Sequence, residues 1–279
     1  RRSQTRGHDM SLILCRQEPV KHPFYFEGLG VHLYSSQELC YVIYNNPLLA
    51  MEGLINDNLI TFIRTELDMA FLAGKLDVCK KSGEDPDEMI FIILQECYYY
   101  TAREIGKFRQ KIASYKKMSA AELTKETADF YFRLKQYGTA VIYYEKILDD
   151  WRIKSLSDEF TAKIWNNIGA SYAGIFWFEK AMSAFDMSYN FQKNRETLKK
   201  IYQLTLLNPE LTLKERYESL ITRQQKDEWK EEFEKLTQAA SEDRKIREVE
   251  ELFDKDPIKR ISGAGKLLAK WKQDYRKMI

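Results

Sequence analysis

Residues 162–195 read AKIWNNIGASYAGIFWFEKAMSAFDMSYNFQKNR, and this stretch decides the fold. Trp165, Ile168, Gly169 and Tyr172 recur at helical spacing, and Ala181, Phe185 and Ser188 do so again after a turn. The chemistry of the pattern is steric. Gly169 and Ala181 are small enough for two helices to approach closely, while Trp165, Tyr172 and Phe185 fill the space around the crossing. Two helices and their joint therefore fit in 34 residues, so the rest of the chain is read for copies of this unit.

A weaker copy precedes it. With Ala121 as its first position, Ala128, Tyr131, Ala140, Tyr144 and Ile147 fall where Gly169, Tyr172, Ala181, Phe185 and Ser188 fall in the first. Thr124 and Thr127 replace the large apolar residues, and the offset between copies is 41, which puts about seven extra residues around Trp151–Ser157. A third copy starts near Asn194, with Leu204, Leu213, Tyr217 and Leu220 near the expected places and Asn208-Pro209 between its helices. These about 100 residues resemble tetratricopeptide repeats, although Lys193 stands where a proline is usual.

The resemblance implies an all-α fold of antiparallel helix pairs, a tetratricopeptide-like solenoid whose groove is lined by the first helix of each pair. It places Lys163, Asn166, Asn167, Ala170 and Gly174 toward that groove. Some members of the family grip a C-terminal carboxylate with five polar positions, occupied here by Lys125, Asp129, Asn167, Arg195 and Lys199. Asp129 departs from the pattern, since a carboxylate there repels an anionic ligand.

The remaining chain reads as helix with an irregular start. Met10 reads as a natural start, and polar, basic Arg1–Asp9 as a disordered leader. Ser11–Tyr34 holds Pro19, Pro23, Gly28 and Gly30 around Phe24, Tyr25 and Phe26. Ser35 through Glu38 caps a helix that Asn45-Asn46-Pro47 ends, because the proline ring removes a donor and clashes with the preceding turn. A second helix is expected through Leu59, Ile63, Leu67 and Phe71, and a long one from Pro86 to about Lys117. Ser119-Ala-Ala-Glu122 and Thr212-x-x-Glu215 are capping-box patterns. No Pro or Gly separates the second from Pro257, so a helix of about 40 residues is expected there. Asp256-Pro257 then turns the chain, Gly263 and Gly265 loosen a joint, and a basic helix from Lys266 to Ile279 caps the fold by packing Trp271 on the long helix. The domains expected are 1–9, a leader; 10–118, a helical N-terminal domain; 119–213, the repeats; and 214–279, the long helix and its cap.

Composition removes several function classes. Forty-four basic and 42 acidic residues give a formal net charge of +2, so the whole chain exerts no pull on nucleic acid. No apolar run approaches the ~18 residues of a membrane span. Cysteines 15, 40, 79 and 97 contain no C-x-x-C pair and read as reduced thiols of a cytoplasmic protein. Ser262-Gly-Ala-Gly-Lys266 lacks the upstream glycine of a phosphate loop and has Leu267 where Mg²⁺ needs a hydroxyl. His22 and His32 near Cys15 and Cys40 keep an enzyme in the N-terminal domain open as one alternative; a peptide-sensing signalling regulator is another. The basic C-terminal helix, with Leu268, Trp271, Tyr275 and Met278 on one stripe, reads either as a cap or as a contact to phosphates or a membrane surface. The reading that the residues favour is a non-catalytic scaffold or adaptor without cofactor or metal. Its partner is a protein or peptide, with a second copy of the chain included. Its groove residues are Lys163, Asn166, Asn167, Lys125, Arg195 and Lys199.

Overall fold

A computed structural model describes residues 20–83, 85–150, 156–254 and 256–279. The leader at 1–9, Cys15, Pro19 and most of the insertion around Trp151–Ser157 lie outside the described residues. Among the described residues the fold is all-α apart from one short hairpin, and the chain divides into two units, Arg1–Ser119 and Ala120–Ile279.

The first unit opens with strands β1 (Phe24–Phe26) and β2 (Val31–Leu33), antiparallel, with Tyr25 opposite His32. Gly30 closes the turn at φ +65°, a conformation that a Cβ disfavours. Phe26 and Leu33 face inward. Helix α1 (Ser36–Asn45) begins where Ser35 Oγ accepts the Glu38 amide at 3.1 Å. Pro47 starts a short turn of helix, α2 (Pro47–Leu49), which widens into a π-helical turn at Ala50–Leu54. Then follow α3 (Asp57–Thr65), α4 (Ala70–Ser82), α5 (Pro86–Glu96) and α6 (Ala102–Lys116). Leu39, Ile43, Leu59, Ile63, Leu76, Ile90 and Leu94 are completely enclosed and form the core. Fully burying each such side chain is worth about 1.5–3 kcal/mol.

Two helices expected to be continuous are broken. Asp68, at φ +53°, separates α3 from α4 and leaves Phe71 73% exposed rather than in the core. Tyr98, at φ +51°, separates α5 from α6. The second break has a local cause. Thr101 Oγ1 accepts the Glu104 amide at 3.3 Å, and the Glu104 carboxylate accepts the Thr101 amide at 2.8 Å, a complete capping box that starts α6 afresh. The break lets Tyr100 stack on Tyr44 at 4.1 Å between ring centres.

The segment before β1 is tied down by a single carboxylate. Glu66 accepts from the His22 ring at 2.9 Å and from the backbone amides of His22 and Lys21 at 3.0 and 2.9 Å. The His22 ring bond first, and then the two amides, hold Glu66 down to about 2, below its ordinary 4.5. A depressed carboxylate stabilises the fold above its unfolded value, and that stabilisation fades as pH falls toward the folded one. Glu66→Gln is therefore expected to lower the melting temperature at pH 7 and to match the wild type near pH 2; a constant offset across that range would refute the assignment.

The second unit contains α7 (Ala120–Arg133), α8 (Tyr137–Asp149), α9 (Asp158–Gly174), α10 (Phe178–Phe191) and α11 (Arg195–Leu207). Each packs on the next in order. Equivalent positions 41 residues apart share their burial: Ala121 with Ala162, Ala128 with Gly169, Ala140 with Ala181, Tyr144 with Phe185, Ile147 with Ser188. The turns recur too. Lys135 and Phe176 both take left-handed φ, +60° and +65°, and the following amides, Gln136 and Trp177, bond back to the carbonyls of Tyr131 and Tyr172 at 3.0 and 2.9 Å. Gly169 sits against Phe185, and a Cβ there would lie 2.7 Å from the ring; the ring rather than Ala181 is its nearest neighbour. Trp165 is half-buried, whereas Ile164 beside it is fully enclosed.

The expected helix of about 40 residues is instead three: α12 (Glu215–Glu218), α13 (Arg223–Ser241) and α14 (Arg244–Phe253). Thr222 and Gln225 form the capping box that restarts the chain, and Asp243 caps α14 by accepting the Lys245 amide at 2.8 Å. Thr212 caps nothing; Lys214 occupies the N-cap of α12 without a side-chain bond. Conversely, Gly263 and Gly265 make no joint, because α15 (Pro257–Met278) runs through both. A Cβ at 263 would come 2.5 Å from Leu252 Cδ2, so the glycine lets α14 and α15 approach. Trp271 is 42% exposed; Tyr275 instead ties α15 back. Its hydroxyl donates to the Ile175 carbonyl and accepts from Trp177 Nε1, both at 3.2 Å.

Candidate functional site

Of the residues expected in the groove, Lys125, Asp129, Asn166 and Asn167 belong to one polar chain across four helices. Lys125 on α7 pairs with Asp129 one turn on at 2.6 Å. Asp129 also accepts from the Tyr144 hydroxyl on α8 and from Asn167 Nδ2 on α9 at 3.1 Å. Asn167 donates to the Tyr144 oxygen as well, at 3.2 Å. Burial, then the hydrogen bond and charge of Asp129, push the Tyr144 phenol up, so it stays a donor at every physiological pH. The acid that departs from the carboxylate-grip pattern is thus the hub of an internal network, with side-chain exposure of 22%.

The grip itself is not assembled as a free cluster of cations. Lys125 serves Asp129. Arg195 pairs with Glu228 at 3.1 Å and Lys199 with Glu232 at 2.5 Å, both on α13. The two pairs advance together along α11 and α13, so these helices run in the same direction. Lys163 pairs with Glu159 at 2.6 Å. Each expected cation therefore already faces a carboxylate; the exposed pairs, Lys163–Glu159 and Arg195–Glu228, contribute only about 0–1 kcal/mol each.

Sequence reading missed Lys200. It lies next to Lys199, but one residue is about 100° of helix, which turns it toward α9 and α10 instead of α13. Among the described residues it makes no ion pair. Its ammonium donates to Asn166 Oδ1 at 2.8 Å and lies 5.7 Å from the centre of the Phe185 ring. Burial pulls its pKa down, against the opposing charge of Glu196. Asn166 in turn donates to Asn167 at 3.3 Å, joining Lys200 to the Asp129 network.

Lys200 borders a cavity of about 150 Å³ between α9, α10 and α11, bordered also by Lys163, Asn166, Gln192, Asn194 and Thr197. Amides, hydroxyls and two ammonium groups against the single carboxylate of Glu196 suit a polar ligand group with acceptor oxygens. A second hollow, about 340 Å³, lies at the α9–α10 turn under Phe176, Trp177 and Phe178, with Lys180 4.4 Å above the Trp177 ring.

Three of the four residues that kept an enzyme open are described, each in its own surroundings. Cys40 is buried in α1, the His22 ring is occupied by Glu66, and the His32 ring packs at 4.9 Å on Tyr25. Cys15 is outside the described residues. Among the described residues no group of His, Cys, Asp and Glu has the spacing of a metal site, and no helix is long and apolar enough to cross a membrane.

What the geometry defines is an all-α protein with a polar network and cavity spanning consecutive helices of its second unit. Protein-family models, curated proteins and solved structures contain no match to the chain.

Proposed function

We propose that residues 119–213 are a short tetratricopeptide-like array of antiparallel helix pairs, and that the protein is a non-catalytic scaffold or adaptor that binds a peptide segment of a partner. The 41-residue recurrence of buried positions and of left-handed turns supports the repeat reading. The binding reading is carried by one observation: Lys200, a half-buried cation with no ion pair among the described residues, bordering a polar cavity between consecutive helices. An amide or carboxylate of a bound segment supplies a further acceptor for Lys200 beside Asn166 Oδ1. Lys163 and Asn166 orient the segment at the rim; Lys125, Asn167, Arg195 and Lys199 hold the walls together through their internal pairs.

A peptide-display library panned against the full chain tests this. Selected peptides should carry an acidic or C-terminal carboxylate. Lys200→Met keeps the apolar stem and removes the charge. A charge-assisted hydrogen bond is worth about 1.5–3 kcal/mol, so affinity should fall about 10-fold or more. Asn166→Ala should weaken the same peptides. Failure to select any sequence, or peptides indifferent to both changes, would remove the groove reading.

A further inference from the structure

The last two helices present a surface that the fold leaves uncovered. No residue of α14 or α15 is buried. Ile258 is 82% exposed, Ile261 75% and Phe253, at the end of α14, 65%. At 100° per residue, Ile258, Ile261, Leu268, Trp271 and Tyr275 fall within an arc of about 140°. Lys259, Lys266, Lys270 and Lys277 fall within about 40° on the opposite side; Arg260 borders the stripe, Lys272 falls within it, and Arg276 shares the angle of Ile258. In all, α15 carries seven cations against one acid, Asp274. Only the last turn of the apolar side is tied down, by Tyr275 on Ile175 and Trp177.

Three kinds of partner carry different charge and apolarity, and the charges decide among them. A second copy docked stripe to stripe would set one α15, with a net charge of +6 from seven cations and one acid, beside another. Glu228, Glu231 and Glu232 of α13 already pair with Arg195, Lys235 and Lys199, and the acids of α13 and α14 without an ion pair among the described residues, Asp227, Glu250 and Glu251, are too few to balance seven cations. A nucleic acid would take the cations but leave Ile258, Ile261 and Phe253 in water. An anionic bilayer surface accepts both faces at once: the acyl boundary takes the isoleucines and Trp271, and the headgroups take the lysines and arginines.

We propose that α15, extended by Phe253, is a peripheral docking surface for anionic membranes, lying in the plane of the interface. The chain then brings its second unit to a lipid surface without a membrane-spanning helix.

Co-sedimentation of the full chain with phosphatidylcholine vesicles, with and without phosphatidylserine, tests this. Binding should require phosphatidylserine and weaken as salt rises. Ile258→Ser/Ile261→Ser alters exposed positions only, so circular dichroism should match the wild type. That variant should bind phosphatidylserine vesicles at least about 10-fold more weakly. Lys266→Glu/Lys270→Glu should lose the preference for phosphatidylserine. No sedimentation with phosphatidylserine, or binding unaffected by the isoleucine changes, overturns the proposal. So does a dimer, seen by light scattering, that the isoleucine variant dissolves: the face would then belong to a second copy.

Discussion

Trp229→Ala is expected to cost about 3–5 kcal/mol, the range for deleting a fully enclosed aromatic side chain. Trp229 is 2% exposed and is the single buried residue of α13. Its ring lies 6.0 Å from that of Tyr202 on α11 and belongs to the cluster of Phe185, Leu198, Ile201, Leu204, Tyr217 and Ile221. α11 and α13 are also tied by the Arg195–Glu228 pair, more than half exposed, and by the Lys199–Glu232 pair, whose carboxylate is 47% exposed. Exposed pairs are worth about 0–1 kcal/mol each, so they cannot hold α13 once the indole is gone. Since whole domains are stable by only about 5–15 kcal/mol, the loss should be plain in a urea titration. Trypsin should also cut the variant early at Arg223 and Lys226, in the first turn of the released helix. A variant that loses under about 1 kcal/mol would mean that the cluster closes without Trp229.

Steric demands were legible in the sequence; partnerships were not. A close helix crossing restricts residue size at defined spacings, so Ala128, Gly169, Ala140 and Ala181 announce themselves. All four are enclosed. Helix breaks made by ordinary residues leave no such mark. Asp68 and Tyr98 take left-handed φ without a glycine or proline nearby, and both are exposed, so neither residue's type marks the break. Thr101-x-x-Glu104 and Thr222-x-x-Gln225 were visible capping signals inside stretches whose apolar periodicity looked unbroken. The polar groove shows the same limit. Position along a helix places Lys125, Arg195 and Lys199 among the polar residues of their helices, but pairing depends on elements far along the chain. Glu228 reaches Arg195 only because α13 returns along α11. Lys200 was overlooked for the complementary reason: a lysine among lysines, distinguished only by the cavity it borders. Tyr275 bonds to a carbonyl 100 residues earlier, a contact that no local pattern encodes.

Gly169→Leu is expected to lower the melting temperature by several degrees. A Cβ at this position would lie 2.7 Å from two carbons of the Phe185 ring, well inside van der Waals contact, and leucine adds three more carbons beyond it. The ring has nowhere to move: Phe185 is 3% exposed, with Ala181 on its own helix completely enclosed and the Lys200 ammonium over its face. Overpacking of this kind costs about 1–3 kcal/mol, and more where the neighbour is trapped. Helix propensity acts in the opposite direction, since leucine gains up to about 1 kcal/mol over glycine in a helix interior. The two effects are separated by Gly106→Ala, in the middle of α6, where a Cβ meets nothing within 4 Å. That change should stabilise by about 0.5–1 kcal/mol through propensity alone. For a chain of this size 1 kcal/mol moves the midpoint by about 2–4 °C, so the two variants should shift it in opposite directions. If Gly169→Leu instead melts at or above the wild type while Gly106→Ala rises as expected, α9 and α10 are not in close contact at this crossing, and the steric basis of the repeat is lost.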